Sequence, residues 1–272
     1  MLNIFTLNWN GEDKLKKLVP TLLNSVKDFN WFIKDNASKD DSISYLNSLE
    51  NKNIKVLPYK NNTQNFSAGM NYCFNEASPN DEDLVLLLNN DVIFNDDTSI
   101  QNMINIMDKD PKVGAVGARL LYTGTNNLQH AGVVFHDEIK TPTHFRVGEK
   151  SDSNAEKNRL FQVVTGAVLL TRAKYFKNAC KNKSGNLGMD EDYHWAFDDV
   201  DLCLCIKYNM EKKIVYCGNT NVFHEESASL KKNPANKLFM THNVNHLKNK
   251  WKDRYILDMN KYTKDSKFNL YQ

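Results

Sequence analysis

No stretch of this chain approaches the roughly 18 consecutive apolar residues of a membrane-spanning helix. Its start, Met1-Leu2-Asn3-Ile4-Phe5-Thr6-Leu7, has no basic leader and no cleavage site, and reads as a short strand. Cysteine is scarce: Cys73, Cys180, Cys203, Cys205 and Cys217 are odd in number and lack C-x-x-C spacing. That excludes a disulfide framework and a zinc site, and leaves small buried apolar residues in a reducing compartment, so a cytoplasmic protein is expected. An excess of one charge is missing too, with 35 Lys and Arg against 33 Asp and Glu. The net charge of +2 excludes a dedicated nucleic-acid binder. Neither G-x-G-x-x-G nor G-x-x-x-x-G-K-[ST] occurs, so a dinucleotide fingerprint and a P-loop are also excluded. Sequons begin at Asn36, Asn61, Asn65 and Asn182, and are chance matches in a cytoplasmic chain this rich in Asn.

What is present is ordinary globular material. At 272 residues, 41% hydrophobic and 25% charged, the chain can bury the core of one α/β domain or two small ones. Up to about residue 110 the pattern alternates. Strands are predicted at Ile4–Leu7, Trp31–Ile33, Ile54–Leu57 and Leu84–Leu88, and helices over Leu15–Val26, Ser42–Leu49 and Ser67–Ala77. This rhythm implies βαβ units and a parallel sheet buried on both faces. Beyond it the rhythm breaks. Val113–Leu121, Val133–Phe135, Val163–Thr171, Ile214–Tyr216 and Val222–His224 read as strands, and Phe197–Tyr208 as a helix. Thr123–Asn127 and Ser151–Asn158 are polar loops, and Lys231–Asp253 is a basic, amphipathic tail interrupted at Pro234. With no internal repeat and no linker, one domain with two functional halves is expected.

Several strand ends carry chemistry. Leu86-Leu87-Leu88-Asn89-Asn90-Asp91 places an amide-amide-carboxylate triplet at the edge of a central strand, where open α/β sheets bind ligands. Oxygen ligands there suit a divalent cation on two phosphates, although a polar turn explains the same residues. Leu7-Asn8-Trp9-Asn10-Gly11 offers an indole to stack on a base, or else a core Trp before a turn. Asp35 can accept from a base or a ribose, or cap the helix that follows. Asn65-Phe66-Ser67-Ala68-Gly69-Met70-Asn71 has small residues at a helix start, suited to a close anionic ligand or to simple capping. Asp198, Asp199 and Asp201 crowd a helix's first turn, where capping and general-base roles both fit. His224 ends a strand, as a cation ligand or an ordinary polar residue.

Together these motifs carry a resemblance. Asn8-Trp9-Asn10-Gly11, Asp35-Asn36-Ala37-Ser38, Asn65-Phe66-Ser67-Ala68-Gly69 with Asn71, and Leu88-Asn89-Asn90-Asp91 come first. Gln129-His130-Ala131-Gly132, Thr165-Gly166-Ala167, Phe197-Asp198-Asp199-Val200-Asp201-Leu202 and His224 follow in order. Over residues 1–230 the chain resembles the family 2 glycosyltransferases of GT-A fold, especially their rhamnosyltransferase-like bacterial branch. The resemblance implies an α/β single domain, with a mostly parallel, Rossmann-like nucleotide-sugar half (1–110) and a mixed acceptor half (111–230). Residues 231–272 would form a helical tail packed on it. It implies that Asp91, His224 and Asn89 hold Mn2+ or Mg2+ on the donor's diphosphate, with Asn89 replacing the first carboxylate of the family's D-x-D motif. It further implies that Leu7, Asn8, Trp9, Asp35, Asn65, Gly69, Asn71, Asn89 and Asn90 form the nucleotide pocket. Asp199 would be the base, with Asp198 in place of the family's Glu, and His130 and Thr165–Ala167 would face the acceptor.

The function so implied is an inverting, metal-dependent transfer of a sugar from a UDP- or dTDP-sugar to a hydroxyl of a glycan or lipid-linked acceptor in polysaccharide or glycoconjugate synthesis. The lysines at 231, 232, 237, 248 and 250 would bring the tail to an anionic membrane surface, or else form a solvated helix face. The rival reading is a non-catalytic nucleotide- or carbohydrate-binding subunit that keeps the fold.

Overall fold

Strands that are apolar on both faces must be covered on both faces, and the first elements satisfy this directly. The computed structural model describes residues 1–57, 65–181, 187–194, 196–225, 235–252 and 254–272. The elements begin β1 (Leu2–Asn8), α1 (Glu12–Ser25), β2 (Phe29–Asp35), α2 (Ser42–Ser48), β3 (Ile54–Leu57), α3 (Phe66–Ala77) and β4 (Leu84–Leu88). The four strands are parallel in the order β4-β1-β2-β3. In β4 the alternation of strand side chains sends Val85 and Leu87 to one core cluster and Leu86 and Leu88 to the other. Helix α1, predicted over Leu15–Val26, buries Leu15, Leu18, Val19 and Leu22 in the same cluster as Leu86 and Leu88.

The second half is mixed. It runs β5 (Val92–Phe94), α4 (Ser99–Lys109), β6 (Val113–Tyr122), β7 (Leu128–His130), β8 (Val133–Phe135), β9 (Pro142–His144), β10 (Arg159–Phe161) and β11 (Val168–Arg172). There follow α5 (Ala173–Ala179), β12 (Cys180–Lys181), β13 (Leu187–Gly188), α6 (Asp198–Leu204), β14 (Lys213–His224), α7 (Ala235–Trp251) and α8 (Met259–Lys264). Strand β11 enters antiparallel between β4 and β6, β14 lies parallel to β6, and β5 and β10 pair antiparallel with β14. One mixed sheet thus continues the parallel half. Leu247, Trp251, Tyr255 and Tyr262 join the core cluster that holds Phe5 and Leu87.

Several expectations change. The strand predicted from Val163 begins only at Val168, because the amides of Thr165 and Gly166 bond to the His130 and Asp199 side chains. The helix predicted over Phe197–Tyr208 starts at Asp198, since Phe197 is left-handed at φ 69°, and it widens into a π-helical turn at Cys205–Asn209. The two strands predicted over 214–224 are one, with a register shift between Cys217 and Val222. Gly218 lies in this irregular stretch, and a Cβ there would stand 2.5 Å from the backbone of Glu156, so the bulge needs a glycine.

The tail helix is not amphipathic: Leu238 is 75% exposed while Asn243 is fully buried. Residues 231, 232 and 234, and the sequons at Asn61 and Asn182, lie outside the described residues. Lys250 belongs to no free basic face, because its ammonium contacts the Asp190 and Asp201 carboxylates. Among the described residues no helix is long and apolar enough to cross a membrane.

Because Leu88 is fully buried at the end of the central strand, Leu88→Ala is expected to cost about 2–5 kcal/mol, read from the urea unfolding midpoint.

Candidate active site

The chain's polar strand ends and two helix starts converge on one cavity of about 710 Å3. That volume lies within the roughly 300–1,000 Å3 of small-molecule sites. Leu7 of β1, Asn89 after β4, and Asn65 and Phe66 at the start of α3 line it. So do Gln129 of β7, Thr143 and His144 of β9, and His224 at the end of β14. Asp198 and Asp199 enter from the first turn of α6. Trp9 also lines the cavity and is 55% exposed, so its ring is at the surface rather than in the core.

Other predicted contacts support the cavity, most of them from residues that do not line it. Asp35 is fully buried and spends both oxygens on the protein. Its Oδ2 accepts from Asn8 Nδ2 (2.9 Å) and Ser38 Oγ (2.7 Å), and its Oδ1 from the Ser38 amide (2.8 Å). The side chain that lines the cavity from this strand end is Asn36. Asn8 Oδ1 accepts from Asn90 Nδ2 at 2.8 Å, so these amides tie the ends of β1, β2 and β4 together. Gly69 serves packing, since a Cβ there would lie 2.8 Å from Leu7 Cδ1. Asn65 caps α3 by accepting from the Ala68 amide at 2.9 Å and donates to the Glu191 carbonyl at 2.7 Å. Asn71 fastens the same segment by donating to the Met189 carbonyl and accepting from the Met189 amide.

The three predicted cation ligands do meet. Strand β5 pairs His224 with Val92, and Glu225 donates its amide to the Asp91 carbonyl at 2.8 Å. His224 Nε2 then lies 3.0 Å from Asp91 Oδ1 and 3.2 Å from Asn89 Nδ2. Gln129 holds the ring from behind. Its Oε1 accepts from His224 Nδ1 at 2.6 Å and its Nε2 donates to the His224 carbonyl, which turns Nε2 toward the carboxylate. A carboxylate oxygen, an imidazole nitrogen and an amide, with the ring fixed by a second hydrogen bond, fit Mn2+ or Mg2+. Lys14 Nζ stands 3.8 Å from Asp91 Oδ2.

A second group, Asp190, Asp192 and His246, brings three ligand atoms within 4.8 Å of one another; Asp190-Glu191-Asp192 has the D-x-D spacing, a signal the sequence reading missed. Here Lys250 Nζ is already 2.6 Å from Asp190 Oδ2, so the donor set fits an ion pair better than a metal ion. Burial opposes ionisation of Asp190, but hydrogen bonds from His246 and Lys250 hold its carboxyl well below the usual range. His144 was also missed, for it stands in a short Pro-Thr-His strand without pattern. Its Nδ1 is 2.8 Å from Nδ1 of the fully buried His130, whose Nε2 accepts the Thr165 amide. That fixes the His130 proton on Nδ1, donated to His144, and burial and then His144 hold the His130 pKa well below its ordinary value.

The α6 carboxylates are oriented by backbone amides. Asp199 Oδ2 accepts from Gly166 and its Oδ1 from Val200, each at 2.8 Å. Gly166 allows this approach, because a Cβ there would lie 2.9 Å from Asp199 Cβ. Burial and then the Asp199 charge push the Asp198 pKa up. A carboxyl raised in the folded state adds stability at low pH that is lost as pH rises through its folded value. Asp198→Asn is therefore expected to unfold at a higher temperature than wild type at pH 8 and to lose that advantage at pH 4. Equal shifts at both pH values would reject the raised pKa.

Known proteins share this fold. The sequence model described as Glycosyl transferase family 2 matches residues 4–178, a stretch that ends before Asp198, Asp199 and His224. Among curated proteins none matches. Among solved structures, TarS 1–349 of S. aureus, in complex with UDP-GlcNAc, is 13% identical at a TM-score of 0.57, over 83% of this chain and 58% of that one. A mannosyltransferase of Pyrobaculum calidifontis, in complex with GDP-Man and Mn2+, is 11% identical at 0.57, over 97% and 64%. GalNAc-T7, with UDP, GalNAc and Mn2+, is 11% identical at 0.65, over 93% and 48%. The chain thus spans less than two thirds of each. A family match over most of the residues, on a sheet of this topology, means that the chain belongs to glycosyl transferase family 2 and has the GT-A fold.

Proposed function

We propose that this protein transfers a sugar from a nucleotide-activated donor to an acceptor hydroxyl in one displacement that inverts the anomeric centre. The observation that carries the reading is a single cavity lined by Asn89 and His224, with Asp91 behind them, and also by Asp198 and Asp199. Asn89, Asp91 and His224 would hold Mn2+ or Mg2+, which supplies positive charge for the diphosphate that leaves. The solved structures above with UDP-GlcNAc, or with GDP-Man and Mn2+, support that division of labour.

The chain's own residues do the rest. Trp9 stacks on the base, and Asn36, which lines the cavity where Asp35 does not, offers it a polar group. Asp199 takes the proton of the acceptor hydroxyl, its oxygens held in place by the Gly166 and Val200 amides. Asp198 keeps that first turn anchored through the Asp199 amide and Ser67. His144 and Thr165, with His130 behind, face the acceptor.

We assign UDP- or dTDP-sugars as donors, a glycan or lipid-linked saccharide as acceptor, and bacterial polysaccharide or glycoconjugate synthesis in the cytoplasm as the setting. Residues 1–110 form the donor half, 111–230 the acceptor half and 231–272 a tail that completes the core.

Two measurements test this. Asp199→Asn is expected to abolish transfer and leave nucleotide binding within about twofold; a lost affinity would make Asp199 a binding residue instead. The nucleotides UDP, dTDP, GDP and CMP, each with Mn2+ or with chelator, are compared by thermal unfolding. At about 100 times its dissociation constant one of them adds roughly 2.7 kcal/mol and raises the midpoint by several degrees. Asp91→Ala should cancel the Mn2+-dependent part alone. No shift with any nucleotide would favour the non-catalytic binding subunit.

A further inference from the structure

The tail helix α7 is docked by polar side chains that reach the segments carrying the site. Asn243, His246, Lys250 and Trp251 recur at helical spacing on one side of it. Asn243 is fully buried; its Oδ1 accepts the His194 amide at 3.0 Å and its Nδ2 donates to the Ala196 carbonyl at 2.8 Å. Lys250 Nζ bridges Asp190 Oδ2 (2.6 Å) and Asp201 Oδ2 (2.7 Å), and Trp251 Nε1 donates to Asp201 Oδ1 at 2.7 Å. His246 Nε2 is 3.1 Å from the same Asp190 oxygen.

The far ends of these contacts are informative. Asp201 is fully buried in α6, two residues beyond Asp199. Asp190 lies in the segment that receives Asn65 and Asn71 from the start of α3, which lines the cavity. Between them Phe197 holds a left-handed backbone, a strained conformation that persists only when its surroundings over-determine it. Buried ion pairs are a poor route to stability, and an apolar contact beside Leu247 and Trp251 would dock the helix as well. What an ammonium shared by two carboxylates adds is a fixed orientation.

We propose that Lys250 is a positioning residue, which sets the first turn of α6 and the Asp199 carboxylate against Gly166 by clamping Asp190 and Asp201 together. The catalytic consequence rests on the reading of Asp199 as base; the clamp itself does not.

The test uses the full chain as wild type, Lys250→Met and Lys250→Arg, with hydrogen exchange resolved by segment. Lys250→Met is expected to speed exchange about tenfold or more over 163–168 and 197–204, with UDP and Mn2+ binding within about twofold. UDP release from UDP-GlcNAc with Mn2+ should lose kcat by a similar factor with KM unchanged, and Lys250→Arg should restore most of both. If the wild type releases no UDP from this probe, exchange alone decides. Exchange unchanged in those segments, or faster by one factor throughout the chain, overturns the proposal. Should Lys250→Met fail to fold, Trp251→Phe removes one hydrogen bond from Asp201 and is judged by the same two segments. Turnover retained in Asp199→Asn would overturn the base assignment while leaving the exchange result standing.

Discussion

The site depends first on an antiparallel pairing of three residues. Strand β5 turns back from the end of β4 and pairs with the end of β14, which puts Val92 opposite His224. Without that ladder, Asp91 and His224 belong to different halves of the chain. With it, carboxylate and imidazole are 3.0 Å apart, and both ends of the Gln129 amide secure the ring. Helix α1 covers the same junction, with Lys14 near Asp91 and Lys17 on Glu225 at 2.6 Å. A cation site built on these residues, as proposed, would inherit the rigidity of the sheet, which is what tolerances of a few tenths of an ångström require.

Buried carboxylates set the second constraint. Each must be met by donors, or its charged form becomes costly. Asp35 is met by Asn8 and Ser38, and Asp201 by Lys250, Trp251 and Tyr193. Asp198 is less well met. It accepts the Asp199 amide and a long contact from Ser67, stands beside a like charge, and has its pKa pushed up accordingly. Two neighbouring carboxyl groups on the cavity wall, Asp198 held toward its protonated form and Asp199 with both oxygens aimed by backbone amides, form an arrangement suited to moving one proton.

The sequence reading of the parallel half agreed with the structure because local signals decide it. The stripe of Leu15, Leu18, Val19 and Leu22 is a helix wherever it packs, and Leu84–Leu88 must be covered on both faces. Strand β5 escaped notice because Val92-Ile93-Phe94 is short and flanked by Asn and Asp, which signal turns. The stretch from Val163 misled for the opposite reason. Its residues favour strand, yet two of its amides are taken by side chains from β7 and α6. Of the residues predicted for the nucleotide pocket, Leu7, Trp9, Asn65 and Asn89 line the cavity, while Asn8, Asp35, Gly69, Asn71 and Asn90 hold it together from behind.

By itself the sequence determined which residues carry oxygen and nitrogen ligands at strand ends, and that their order is a family's order. Those are local or ordered properties, written along the chain. Tertiary structure alone decided that His224 meets Asp91 and that Asn36, not Asp35, reaches the cavity. It also decided that a lysine read as part of a basic tail is clamped between two carboxylates. Each of these is a contact between residues far apart in the chain or a choice of which side chain faces inward. Such contacts depend on strand register and helix docking, which composition and periodicity do not encode.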